Sequence, residues 1–106
     1  MTSTESRERA RTKLGELRQS FAERLQSRLR QLDGLVTHAK ADPTQGALTE
    51  AINAAHRLAG TAGSYGFMEV GEAAGCLERS LQRIAGGEEE WEAASAALAR
   101  AHRSAS

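Results

Sequence analysis

Cysteine is almost missing from this sequence of 106 residues: Cys76 stands alone, so no internal disulfide framework can staple the fold. That usage suits a reducing compartment, and the chain is expected to be cytoplasmic. Proline occurs once, at Pro43, and the aromatic side chains are limited to Phe21, Tyr65, Phe67 and Trp91. β-Branched residues are scarce too, which argues against a sheet-built core. No apolar run approaches the ~20 residues of a membrane span. The polar stretch from Met1 to Lys13 has none of the apolar centre of a signal peptide. Net charge is also absent, with a formal sum of +0. That balance hides a division: residues 1–40 hold nine Lys/Arg against five Asp/Glu, and residues 41–106 hold five against nine. A chain with +4 in one part and −4 in the other lacks the concentrated basic face of a nucleic-acid binder. The three separated histidines and one cysteine show no metal-ligand spacing, so neither metal nor cofactor is expected.

What is abundant is Ala, Leu, Glu and Arg, all good helix formers. The length suits one domain with a modest core. The expected fold is an all-α, antiparallel up-down four-helix bundle over residues 7–106, behind a disordered lead-in at residues 1–6. The first helical pattern carries Leu14, Leu17, Phe21, Leu25, Leu29, Leu32, Leu35 and Val36 at three- and four-residue spacing. It is long for one helix, and a break at Gly15 or Ser20 would leave a short extra helix at its N-terminal end. Asp42-Pro43 reads as an N-cap followed by proline at the first helical position, opening a helix from Pro43 to about Ser64. A third helix begins near Phe67 or Met68, presents Val70, Ala74, Leu77, Leu81 and Ile84 on one face, and stops at Gly86-Gly87. A fourth is expected from Glu88 to about Arg103, with Trp91, Ala94, Leu98 and Ala101 as its stripe. Short connections favour antiparallel neighbours.

The second helix carries the strongest functional signal. At about 100° per residue, Leu48, Ala51, Ile52, Ala55, Leu58, Ala59 and Ala62 form one apolar stripe. His56 falls at its margin, with Asn53, Gly60 and Gly63 on the same flank and Arg57 toward solvent. A lone histidine on a helix margin is ordinarily a surface residue, and capping accounts for Gly63 and Gly66. Gly60 is different. Glycine inside a helix costs roughly 0.5–1 kcal/mol relative to alanine. Because helical side chains lean toward the N-terminus, a side chain at position 60 would be directed at His56. Its absence clears the approach to the imidazole. Elsewhere, His38 and His102 are expected on the surface, Cys76 as a small packing residue and Trp91 as a core anchor.

The run His56-Arg57-Leu58-Ala59-Gly60-Thr61-Ala62-Gly63-Ser64-Tyr65-Gly66-Phe67, followed by Ala74 to Leu77-Glu78, resembles the histidine-containing phosphotransfer (HPt) domains of bacterial two-component phosphorelays. The resemblance covers roughly residues 14–103. It implies a phosphoryl carrier rather than an enzyme, with His56 as the nucleophile that exchanges phosphoryl groups with receiver-domain aspartates. Neutral imidazole, whose ordinary pKa is about 6.5, is a good nucleophile near pH 7. The resemblance further implies that Glu78 orients the ring, with Gly60 and Gly63 allowing close approach. The partners would be response-regulator receiver domains and a hybrid histidine kinase, with Mg²⁺ on the receiver. The carrier itself would be a monomer that binds neither nucleic acid nor membrane. Many family members have lysine three residues after the histidine; this chain has Ala59 there. Arg79 and Arg83 are alternative cations for a phosphoryl group. The docking patch would include Ala59 and Phe67. With no room for a kinase catalytic domain and no Gly-rich nucleotide loop, phosphorylation from ATP is not expected. The competing reading is a helical interaction module that binds a receiver or kinase without being phosphorylated.

Overall fold

A computed structural model describes residues 3–105. It contains four helices and no strand among them: α1 Ser3–Ala41, α2 Gln45–Ser64, α3 Met68–Ala85 and α4 Trp91–Ala105. Each helix packs on its neighbours in chain order and α4 closes on α1, giving the up-down bundle that short connections favour. The core is made of Phe21, Leu25, Leu29 and Leu32 from α1, Leu48 and Leu58 from α2, and Val70, Leu77 and Leu81 from α3. The alanines Ala51, Ala55, Ala74 and Ala94 are fully buried and let the helices come close.

α1 departs from expectation at both places where the sequence was read as interrupted. It is one continuous helix of 39 residues, without a break at Gly15 or Ser20. It also starts at Ser3, so residues 3–6 are helical rather than part of a disordered lead-in; residues 1 and 2 lie outside the described segment. Its first half lacks a buried stripe, and there Glu, Arg and Lys sustain the helix by propensity and not by burial. At about 1.5 Å per residue this helix accounts for the 59 Å length of the molecule, whose other dimensions are 22 and 20 Å. Leu14 and Leu17, part of the apolar pattern of this helix, are exposed because the other helices do not reach that far.

Two other helix starts shift. α2 is capped by Thr44, not Asp42: the Thr44 hydroxyl accepts from the Ala47 backbone N–H at 3.1 Å. Asp42 precedes proline, which disfavours helical backbone at that residue. It instead accepts from the Thr44 N–H at 2.8 Å through its carbonyl. α4 begins at Trp91, so the three glutamates precede it, and the Glu90 carbonyl accepts the Ala94 N–H at 2.9 Å. Trp91 itself is only half-buried against the core. The α2–α3 turn lies where the glycines placed it. Gly66 has φ +83, a conformation costly for any side chain. The turn is held from below by Phe21, whose ring stacks on Tyr65 at 4.9 Å and meets Phe67 at 5.5 Å.

Candidate functional site

The site is built by the α2–α3 hairpin. Gly71 on α3 lies against α2 so closely that an added Cβ would sit 3.1 Å from the Ala59 carbonyl oxygen and 3.4 Å from the Gly63 nitrogen. Ala59 and Gly63 are one turn apart on α2, as Gly71 and Gly75 are on α3, and these small residues form the seam. Seven residues before Gly63 is His56; seven after Gly71 is Glu78. Two helical turns from the tightest contact, the antiparallel register therefore sets His56 opposite Glu78.

They meet there. His56 Nδ1 and Glu78 Oε2 are 2.9 Å apart. The His56 side chain is 72% exposed and that of Glu78 only 19%, so the carboxylate is the sheltered partner and the ring the presented one. An ionised carboxylate can only accept, so the proton of this hydrogen bond belongs to Nδ1. In the neutral ring the lone pair is then on Nε2. The pair does more than orient the imidazole; it decides which nitrogen can act as a nucleophile.

The other expected site residues are placed as follows. Gly60 is exposed, and a Cβ added there would meet nothing within 4 Å. Packing therefore leaves the glycine unexplained. A Cβ on Gly63 would also meet open space, although its own backbone is part of the seam against Gly71. Ala59 and Phe67, expected in a docking patch, are half-buried, and Phe67 is committed to Phe21 with the Arg18 guanidinium 5.1 Å above its ring. The exposed apolar side chain beside the seam is Met68, 61% accessible, at the start of α3. It borders a shallow groove of about 430 Å³ with Gly63, Gly71, Gly75, Arg79 and Arg100. Sequence reasoning missed both Met68 and Gly71. Met68 lies off the α3 apolar stripe, and the Gly71-x-x-x-Gly75 spacing was a readable sign of close helix approach.

Of the two alternative cations, Arg83 is tied to Glu90 at 3.1 Å. Arg79 extends over Gly75 and donates to Cys76 Sγ at 3.3 Å. Arg57 lies on the α1 side of α2, with Gln31, Leu35, Glu50 and Asn53. His102 is not a plain surface residue: its Nε2 is 2.8 Å from Asp33 Oδ1, tying α4 to α1. Among the described residues no group of three or more His, Cys, Asp or Glu is placed to hold a metal ion, and no helix is long and apolar enough to cross a membrane.

The α2–α3 hairpin of this all-α bundle thus presents the His56 imidazole at the surface, held through Nδ1 by the sheltered Glu78 carboxylate. The family described as Hpt domain matches residues 16–104, nearly the whole chain. The protein belongs to the Hpt domain family, the histidine phosphotransfer modules. No curated protein and no solved structure matches it.

Proposed function

We propose that this protein carries a phosphoryl group on His56 Nε2 between receiver-domain aspartates of a two-component phosphorelay. The observation that carries the reading is the His56–Glu78 pair, which leaves an exposed lone pair on the nitrogen farthest from the helix. In the forward step Nε2 attacks the phosphorus of an aspartyl phosphate in line. The N–P bond forms as the P–O bond to the aspartate breaks, and the carboxylate leaves with its electron pair. The ring becomes positively charged while Nδ1 keeps its proton, and the Glu78 carboxylate stabilises that charge at hydrogen-bond distance. Return transfer to a second aspartate reverses these bonds. Mg²⁺ and both aspartates belong to the receivers, so this chain contributes positioning. ATP is not a substrate in this reading, and the protein is a carrier, not an enzyme, that acts as a monomer in the cytoplasm with receivers and a hybrid histidine kinase as partners.

The test is incubation of the full chain with a phosphorylated receiver domain, followed by mapping of the acid-labile label. Label on His56 supports the reading; absence of label with receivers that bind the chain would favour the interaction module. Two variants probe the surroundings. Glu78→Ala is expected to slow phosphoryl acceptance by roughly tenfold to a hundredfold, the worth of a hydrogen bond to a charged group. Glu78→Gln, which can still accept from Nδ1–H, loses less; equal loss in both would show that charge rather than ring orientation dominates. Gly60→Gln separates stability from function. Replacing a helix-interior glycine in open space is expected to raise stability by a few tenths of a kcal/mol, while transfer from the receiver slows because the new side chain leans toward His56. A rise in melting temperature with an unchanged transfer rate would refute the clearance argument.

A further inference from the structure

The N-terminal half of α1 is exposed, with Arg18 set over the Phe67 ring at its inner end. Every residue from 4 to 20 is exposed, and Leu14 and Leu17 are 60% and 42% accessible. Residues 3–20 project about 27 Å beyond the bundle at 1.5 Å per residue, and the family match starts only at residue 16. Residues 3–15 of this arm lie outside that match, and the charges that flank its apolar stripe are all of one sign. On a wheel of 100° per residue, Ala10, Leu17, Arg7, Arg11 and Arg18 all lie within about 60° of Leu14. Glu5, Glu8 and Glu16 lie about 120° or more away, on an opposite face of mixed charge that also holds Arg9, with Lys13 at about 100°.

The direction of this stripe limits what can cover it. It continues the line of Phe21, Leu25 and Leu32, which point into the bundle. It therefore overlooks the end of the bundle, with the α2–α3 turn as a floor and the arm as a wall. Arg18 occupies the corner, its Cζ 5.1 Å above the Phe67 ring. A flat bilayer would meet the bundle, 22 by 20 Å across, before it reached the stripe. A helix, about 10–12 Å in diameter, fits into such a notch. The arm of a second copy fits by shape but would set Arg7, Arg11 and Arg18 against the same arginines, a repulsive pairing. Carboxylates flanking an apolar stripe complement the arm on both counts.

We propose that the notch between the α1 arm and the end of the bundle seats an acidic amphipathic helix of a partner protein. Leu14 and Leu17 supply the apolar contact, and Arg7 and Arg11 pair with acidic residues on either side of the incoming stripe. The site is separate from His56 and does not depend on phosphotransfer.

The test is a titration of the ¹⁵N-labelled full chain with two synthetic helical peptides that share one leucine stripe, flanked by glutamate in one and by lysine in the other. The glutamate peptide is expected to shift the amides of Leu14, Leu17 and Phe67, and to bind more weakly at about 0.5 M salt. The double variant Arg7→Glu/Arg11→Glu is expected to lose roughly tenfold or more in affinity, about 1.4 kcal/mol per decade. Both positions are exposed, so the fold should be unaffected, and His56→Gln should bind as wild type. Equal binding of the two peptides, no shift with either, or unchanged affinity in the double variant would overturn the proposal. So would arm-dependent retention on phosphatidylserine vesicles or arm-dependent dimerisation in sedimentation, each naming a different occupant.

Discussion

Replacing His56 with glutamine is expected to abolish the acid-labile phosphoryl label and to leave the protein folded. The side chain is 72% exposed and, among the described residues, is hydrogen-bonded to Glu78, so its removal should change stability by no more than about 0.5 kcal/mol. Glutamine can occupy much the same space, but its amide nitrogen has no lone pair available for attack on phosphorus. The loss should therefore be complete. The matched controls are His38→Gln and His102→Gln. His38 is exposed, and its replacement should be silent. His102→Gln breaks the tie to Asp33 and should cost stability but not labelling. Persistent label in the His56 variant would assign the chemistry elsewhere. Undiminished receiver binding and signalling output without label would favour the interaction module.

The second large effect is expected at Gly71, a residue that touches no phosphate in any version of the mechanism. Even the first atom of a side chain there would come 3.1 Å from the Ala59 carbonyl oxygen, which is helix backbone and cannot swing aside. Gly71→Ala forces α2 and α3 apart slightly, and overpacking of this kind costs roughly 1–3 kcal/mol. Gly71→Leu is expected to exceed that range. The two variants should also lengthen the His56–Glu78 contact two turns away, so slower phosphoryl acceptance should accompany the fall in denaturation midpoint. Gly75→Ala is the control, since the nearest atom to its added Cβ, at 3.5 Å, belongs to the flexible end of Arg79. If Gly71→Leu unfolds at the wild-type midpoint, the seam does not set the helix spacing.

These two residues also mark how far the sequence could be read. The exposed position of His56 was legible because periodicity placed it at a stripe margin, and the α3 stripe from Val70 to Ile84 is buried as its spacing requires. Such features depend on a single helix and its 3.6-residue period. Features that depend on two helices were harder. Gly71 gave its Gly-x-x-x-Gly spacing but not the helix it would meet. The tie between Asp33 and His102 joins positions 69 residues apart, and no local pattern announces it. The helix starts were misread where two capping residues competed, as Asp42 and Thr44 did. Leu14 and Leu17 share the apolar spacing of the buried residues after them yet are exposed, because periodicity reports an apolar face and not whether anything covers it.

The hydrogen bond between His56 and Glu78 joins residues only 22 positions apart, inside one helical hairpin. The imidazole and the carboxylate that holds it are thus brought together by a short contour of chain, on a hairpin whose turn rests on Phe21 of α1. Alignment of the pair is therefore a matter of one hairpin's register, with α1 and α4 packed behind it.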